Sequence, residues 1–495
     1  MESRNVKKAY KWSAMTELSS KIITPLINMI LARILTPEDF GILATVMMVI
    51  SFAEVFVESG FSKILIQRKF DTRQQEEQYI SVAFWTNLGI SFVIWGVVIV
   101  FREAIADFVG NGDLGTLIAV TGLMIPLYAI IGILNCKIKK DLEFHRLFYV
   151  RISSALVPLV VTVPLALMGL SYWALIIGNI CGAILRFVLL MKLSVFKPIL
   201  YFSFRDLKSM LKNSIWTLLD GVAVWLTTWI DSFLISRHMS DYYLGVYKNS
   251  TTTVMSLFGI ITASITPVLF SSLSKVQTDQ KAFEKVFFSV QKRLMIFLIP
   301  MSVGVFLYRE FATLVLFGDA WGEAAYIVGI TALTFAMRNA FVSIYSDVFR
   351  AKGKFYWPLI MQCADILILI IFCLPALQNG FWEFVNVRAL LRLDLVIPSL
   401  VLANIVCGLS LKNTLKDALP PIVAVILMSI GAIRMQAISD NIIWSIMSIG
   451  ICVVIYFAAL FLFPDERNVL LGLFNGKRNK SSEENEKHSR ESSNH

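Results

Sequence analysis

Apolar runs of about 20 residues alternate with short polar connectors along nearly the whole chain, without the alternating in-and-out pattern of barrel strands. As helix, a run of that length crosses roughly 30 Å of hydrocarbon. The pattern predicts fourteen spanning helices, near residues 13–35, 40–60, 79–101, 114–135, 150–168, 171–191, 214–236, 244–268, 287–308, 323–346, 356–376, 382–409, 420–438 and 441–463. The fold class expected is an all-α polytopic membrane protein.

The connectors alternate in charge. The N-terminal segment (Arg4, Lys7, Lys8, Lys11) and every second connector, such as Lys63 to Arg73 and Lys137 to Arg151, are basic. The others are short and often acidic, as at Glu38 and Asp39 or Glu310 to Glu323. This bias places both termini in the cytoplasm.

The chain also repeats itself. In LARILTPEDFG (Leu31 to Gly41) an Arg precedes a Gly by eight residues, and ISRHMSDYYLG (Ile235 to Gly245) does the same, at an offset of 204 (Arg33 to Arg237, Gly41 to Gly245). Phe101-Arg102-Glu103 followed by Gly112-Asp113 is echoed by Tyr308-Arg309-Glu310 followed by Gly318-Asp319. Spans 1–6 therefore match spans 7–12. An even number of crossings per repeat gives both the same orientation, related by a pseudo-two-fold axis along the membrane normal. The expected organisation is an N-lobe over 1–200, a C-lobe over 201–411, two further helices over 412–470 and a disordered cytoplasmic tail over 471–495.

Composition agrees with this picture: 57% hydrophobic and 16% charged residues, with a mean hydropathy of +0.70, exceed what a soluble core of ordinary proportions holds. The net charge of +10 resides in the connectors as a topology signal, so no nucleic-acid partner is expected. Six cysteines without CxxC spacing and four scattered histidines imply neither a disulfide framework nor a metal site. Gly110 to Gly115 matches GxGxxG but follows a membrane span instead of a strand, and reads as a turn. Gly178 and Gly182 read as a close helix contact. The N-terminus leads into a full span without a small-residue cleavage site, so no signal peptide is expected.

Candidate chemistry lies within the spans. A charge at the membrane midplane costs roughly 3 kcal/mol if it faces lipid, so such groups must face water or one another. Glu17, Lys21, Thr24 and Asn28 make one stripe on span 1, with Pro25 beside it as a kink, and Ser51, Glu54 and Glu58 make one on span 2. Glu17 and Lys21 are spaced to neutralise each other. Lys21 and Glu54 lie at similar depth, which allows them to pair instead. Span 7 carries Asn213, Thr217, Asp220, Thr227 and Asp231 on one side, and span 8 carries Lys248, Thr252 and Gly259. Asp365, Arg388, Arg392 and Asp394 add charges in spans 11 and 12. Together they predict a hydrated central cavity between two lobes. Arg388 and Arg392, one turn apart and deep, are the strongest anion-binding candidates. Arg186 reads as snorkelling to the interface, Arg33 and Arg237 as anchors at outer span ends, and the Trp and Tyr residues mostly as interface anchors.

These residues carry a resemblance. Leu31 to Lys69, with IDSFLISRHMSDYYLGVYKNS (Ile230 to Ser250) and LFGDAWGEAA (Leu316 to Ala325), resembles the bacterial polysaccharide transport family, the Wzx and WzxC type flippases. The resemblance implies the multidrug/oligosaccharidyl-lipid/polysaccharide superfamily fold, two six-helix lobes around a cavity plus two helices. It implies a non-enzymatic transporter of polyprenyl-diphosphate-linked sugar repeat units from the cytoplasmic to the outer leaflet of the bacterial inner membrane. Its partners would be that substrate, membrane lipids and other polysaccharide-assembly proteins. Cationic cavity residues hold the diphosphate in relatives, a role falling here to Lys21, Lys248, Arg388 and Arg392, with Asn28 beside them. Some relatives couple to Na+ or H+ through acidic residues of spans 7 and 11. Asp231, Gln362 and Asp365 occupy those spans here, with Glu54, Glu58 and Asp220 as further cavity acids. No other cofactor is implied. A drug antiporter of the same superfamily is the main alternative. A membrane-embedded glycan polymerase or ligase is a weaker one, because the outer connectors are too short for a catalytic domain.

Overall fold

The computed structural model describes residues 2–472 except 59, 60, 62–64, 67, 69, 195, 197, 355 and 440. Within its helices, the side chains of 2–10, 58, 211–216, 264, 267, 268 and 271 lie outside the description. The described residues contain helices and turns and no strand. In order the principal helices are α1 (Glu2–Ala32), α2 (Pro37–Glu58), α3 (Arg73–Val100), α4 (Arg102–Val109), α5 (Met124–Lys140), α6 (Phe144–Val157), α7 (Tyr172–Leu193), α8 (Phe204–His238) and α9 (Asp241–Lys275). There follow α10 (Gln280–Leu307), α11 (Arg309–Phe317), α12 (Ala324–Arg338), α13 (Tyr356–Gln378), α14 (Phe381–Leu391), α15 (Val396–Cys407), α16 (Leu411–Gln436) and α17 (Ile442–Phe461).

Among the described residues twelve helical stretches are long and apolar enough to cross a membrane. Neither α1 nor α9, at 31 and 35 residues, is one of them. The polar stripe of α1 lowers its apolar content while leaving the helix intact, whereas α9 is described only in part across its apolar half. Pro25 sits inside α1 without ending it; lacking an N–H, it leaves the Lys21 carbonyl without its helical donor. The helix starts are written locally. Thr36 and Asp39 form a reciprocal cap, the Asp39 carboxylate accepting from the Thr36 N–H and hydroxyl (both 2.9 Å), with Pro37 in the first helical position. Thr72, Ser203, Asp279, Ser410 and Asn441 cap α3, α8, α10, α16 and α17 in the same manner.

The span expected over 382–409 is one candidate crossing, Phe381–Cys407, built of two helices, α14 and α15, separated by a turn over 392–395. There Arg392, Leu393 and Asp394 donate their N–H groups three residues back, to Ala389, Leu390 and Leu391. Pro398 cannot donate to the Asp394 carbonyl, so an unbroken helix would miss a bond at that point. The Gly110 loop is the turn its composition suggests, with Gly110 at φ +103° and the Asn111 side chain accepting from the Asp113 N–H (3.2 Å). Of the expected tail, 471 and 472 end a helical segment over 464–472, and 473–495 lie outside the described residues.

The chain forms two compact units. The first contains residues up to Ser264 with Ala312–Thr331 and Tyr356–Asp394. Its core joins α2 (Val46, Met48, Ile50) to α4, α5 and α7 (Ala106, Ile125, Ile176), and α7 closes onto the π-helical turn Pro158–Thr162, where a Cβ on Gly178 would overlap the Thr162 hydroxyl. The second contains Ile265–Phe311, 332–354 and the residues from Leu395 onward. Here α10 packs on α16, and α16 on α17. A buried triad ties them together, with Lys292 Nζ 2.7 Å from Glu466 and 3.7 Å from Asp417. Lys292→Met would leave two carboxylates facing each other in a site where Glu466 is 2% exposed. The expected loss is about 3 kcal/mol, read as a lower thermal midpoint in detergent, with Asp417→Asn in the same chain restoring part of it.

Candidate functional site

In the first unit the two repeated sequences meet. Gly41 of α2 lies against the Asp241 carbonyl, and Gly245 of α9 lies against the Pro37 carbonyl and the Gly41 nitrogen, so that a Cβ on either glycine would overlap backbone. The flanking arginines cross over. Arg33 donates to the Val315 carbonyl (2.6 Å) at the C-terminal end of α11, and Arg237 donates to the Asp107 carbonyl near the end of α4. Each arginine therefore caps the short helix that its counterpart's repeat supplies, where unpaired carbonyls and the helix dipole favour a cation. Asn111 donates to Asp241 (2.6 Å), Trp321 to the Ala32 carbonyl (2.8 Å), and Ser236 to the Val109 carbonyl (2.6 Å). Burial pushes the Asp241 carboxyl up; the hydrogen bond from Asn111 opposes this and the charge of Glu38 adds to it. The two repeated hairpins are thus interlocked with each other.

Beside this junction is a cavity of about 390 Å³. Thr24 and Asn28 on α1, Asn179 on α7 and Lys248, Asn249 and Thr252 on α9 give it polar walls, with Trp229 of α8 among its apolar lining. The Lys248 ammonium donates to the Thr228 carbonyl (3.2 Å) and stands 3.7 Å from the Trp229 ring centroid. Asn249 is 6% exposed, and its side-chain nitrogen makes no hydrogen bond. A second cavity of about 370 Å³ shares Thr24, Ser154, Ala155, Pro158 and Asn179 with the first and adds Arg151 and Arg186. No Asp or Glu lines either cavity among the described residues.

A buried ion network occupies α8, α9, α13 and α14. Arg388 Nε donates to Asp231 Oδ2 (2.9 Å), and the Tyr247 hydroxyl donates to the same oxygen (2.8 Å). Arg392 donates to the Tyr247 hydroxyl (3.3 Å) and to Thr331 Oγ1 (3.0 Å). The charge of Asp365 acts on Arg388, and that of Asp231 reaches Lys248. Asp231, Asp365, Arg388 and Arg392 are 8%, 4%, 7% and 4% exposed, so the network is closed to bulk water.

The structure therefore gathers Asp231, Asp365, Arg388 and Arg392 into one cluster and sets Asn28 and Lys248 on a cavity wall. Arg388 and Arg392, expected as anion sites, donate here to Asp231, Thr331 and the Tyr247 hydroxyl, while Arg388 Nη1 makes no hydrogen bond. Lys21 is half-buried with its ammonium against Gly259, and it makes no ion pair with Glu54. Glu17 pairs with Arg151 (2.5 Å) and not with Lys21; the guanidinium on the neighbouring helix offers the carboxylate a direct charge-assisted bond. Glu54 is half-buried, Asp220 is exposed, and Gln362 is half-buried and takes no part in the network's hydrogen bonds. The Glu58 side chain lies outside the described residues. Tyr247 and Thr331 were not expected. Arg186, expected to snorkel, lines the second cavity with Gly182 and Gly178, four and eight residues before it on one helix face.

Comparison with known proteins fits this arrangement. Residues 30–326 match the family described as polysaccharide biosynthesis protein. The chain is 23% identical over 367 residues, 74% of each chain, to the succinoglycan biosynthesis transport protein ExoT of Rhizobium meliloti. It is 23% identical over 336 residues, 66% of each chain, to the lipopolysaccharide biosynthesis protein WzxC of Escherichia coli. Among solved structures, the lipid II flippase MurJ in its inward closed conformation superposes with a TM-score of 0.75 at 18% identity, covering 93% of this chain and all of that one. An inward-facing multidrug resistance MATE transporter of the MOP superfamily gives 0.60 at 12% identity, covering 78% of this chain and 96% of that one. The fold is the polytopic all-helical fold of that superfamily, and the chain belongs to the polysaccharide biosynthesis protein family.

Proposed function

We propose that this chain is a flippase for polyprenyl-diphosphate-linked oligosaccharide repeat units in the bacterial inner membrane, serving assembly of an O-antigen, capsule or exopolysaccharide. Its family membership and the transport proteins among its relatives support this reading. The finer architecture we assign is fourteen crossings, with α1 and α9 added to the twelve. They form six-helix lobes over 1–200 and 201–411, an added pair over 412–470, and cytoplasmic termini. In that orientation the interlocked hairpins close the outer face. Other polysaccharide-assembly proteins would receive the glycan there.

Moving one unpaired hydroxyl into hydrocarbon costs several kcal/mol, and a sugar headgroup carries many besides its charged diphosphate. Polar cavity walls replace that water while the polyprenyl tail stays in lipid. No covalent step is required. The carrying observation is the cavity wall itself, with asparagines, hydroxyls and the Lys248 ammonium and no described carboxylate. A carrier of cationic drugs would instead need acid at the cavity, which favours the glycan over the antiporter alternative.

Reconstitution with a labelled polyprenyl-diphosphate oligosaccharide is expected to give leaflet exchange, and none in any salt would overturn the reading. Lys248→Met removes a charge-assisted donor worth about 1.5–3 kcal/mol. Its exchange rate is expected to fall roughly tenfold or more at unchanged expression, and a wild-type rate would remove Lys248 from the path.

A further inference from the structure

The superfamily resemblance implies a coupling cation held by acidic residues of spans 7 and 11, and Asp231 and Asp365 stand there. The residues present do not fit such an ion. Asp231 Oδ2 is already occupied by the Arg388 guanidinium at 2.9 Å and the Tyr247 hydroxyl at 2.8 Å. Arg388 and Arg392 stand in the same buried cluster as the two carboxylates, both less than a tenth exposed. A metal cation added beside Asp231 would stand next to the like charge of the Arg388 guanidinium, shut off from water. No set of three or more Asp, Glu, His or Cys side chains among the described residues offers a substitute cage. An alkali ion prefers several oxygens whose lone pairs face it, and here a guanidinium N–H and a phenol O–H both point at the one carboxylate oxygen.

We infer that Arg388 is a built-in counter-ion, standing where an exchangeable cation would otherwise bind, so that this chain flips its substrate without sodium. The inference rests on the flippase reading. It makes Arg388 the residue that sets the ion requirement. The guanidinium is covalently tethered, cannot be released to either side, and carries no energy from a sodium gradient into the cycle. A ligand with no preference between two states shifts neither.

Two measurements test this. In proteoliposomes, exchange of the labelled polyprenyl-diphosphate oligosaccharide by the wild type is expected to change less than about twofold when N-methylglucamine replaces sodium on both sides at fixed pH. Exchange that is lost without sodium would overturn the counter-ion while leaving the flippase reading in place. Absence of exchange in both salts would count against the flippase reading. The second measurement needs no transport. In detergent, sodium chloride at constant ionic strength is expected to leave the wild-type thermal midpoint unmoved relative to N-methylglucamine chloride, and to raise that of Arg388→Gln, in which Asp231 has lost its cation. A sodium-dependent rise in the wild type would overturn the inference. So would an Arg388→Gln protein that is folded but indifferent to sodium. If Arg388→Gln does not fold in either salt, Arg388→Lys takes its place and is expected to remain indifferent, a sodium response there being contrary.

Discussion

Gly41→Leu is expected to abolish glycan flipping without preventing insertion of the protein. The Gly41 backbone lies against the Asp241 carbonyl and Gly245 against that of Pro37, and in both cases the obstruction is main chain, which cannot swing aside as a side chain can. An inserted side chain must push α2 and α9 apart at the interlocked end, at a penalty of about 3 kcal/mol for the closed arrangement. The open arrangement, in which these hairpins separate, bears none of it, so its population rises roughly a hundredfold relative to the closed one. A carrier held at one end cannot complete its cycle. The bias is read directly by placing a cysteine at Asn28 on the cavity wall, with exposed Cys363 and half-buried Cys181 replaced, and labelling with a membrane-impermeant maleimide. Gly41→Leu should label faster from outside and flip at a few per cent of the wild-type rate or less. Gly245→Leu should do the same, since the contact is mutual. A Gly41→Leu protein that flips normally would remove this junction from the cycle.

Much of that junction is written in the sequence and part of it is not. The Arg-to-Gly spacing shows that one hairpin occurs twice, and local capping chemistry at Thr36 and Asp39 gives the start of α2. Helical periodicity places Lys248, Thr252 and Asn28 on polar stripes because each stripe is a property of one helix. The crosswise contact of Arg33 with α11 and Arg237 with α4 joins residues 282 and 130 positions apart. Such pairing leaves no periodic trace in a single chain. The same holds for Tyr247, which reads as one more interface aromatic until Asp231 and Arg392 are found on either side of its hydroxyl. Arg388 and Arg392 show a converse case. Depth and spacing give their burial correctly in kind, but whether a buried guanidinium faces a ligand or a carboxylate depends on α8, more than 150 residues earlier. The break at 392–395 has a weak local sign in Pro398, while its own four residues, Arg-Leu-Asp-Leu, contain no breaker.

Asp231→Ala is expected to lower stability by about 3–5 kcal/mol, the cost of leaving a buried guanidinium without its carboxylate. Two donors lose their acceptor at once, Arg388 Nε and the Tyr247 hydroxyl, and neither can turn to water from a site this closed. Arg388→Gln alone leaves the opposite defect, a carboxylate with only the more distant Arg392 to balance it. Removing both charges in Asp231→Asn/Arg388→Gln leaves two amides of similar volume, able to hydrogen-bond each other without buried charge. The double variant should therefore be more stable than either single one, with an interaction energy of about 2–3 kcal/mol in a double-mutant cycle of thermal unfolding in detergent. If the two losses simply add, the pair is not energetically coupled and the counter-ion role fails with it. If the double variant recovers stability but not glycan exchange, then the charges are retained for transport and not for folding. Buried ion pairs contribute little net stability when set against a neutral replacement, so a pair at this depth is assigned to a task in the transport cycle, which the double variant separates from folding.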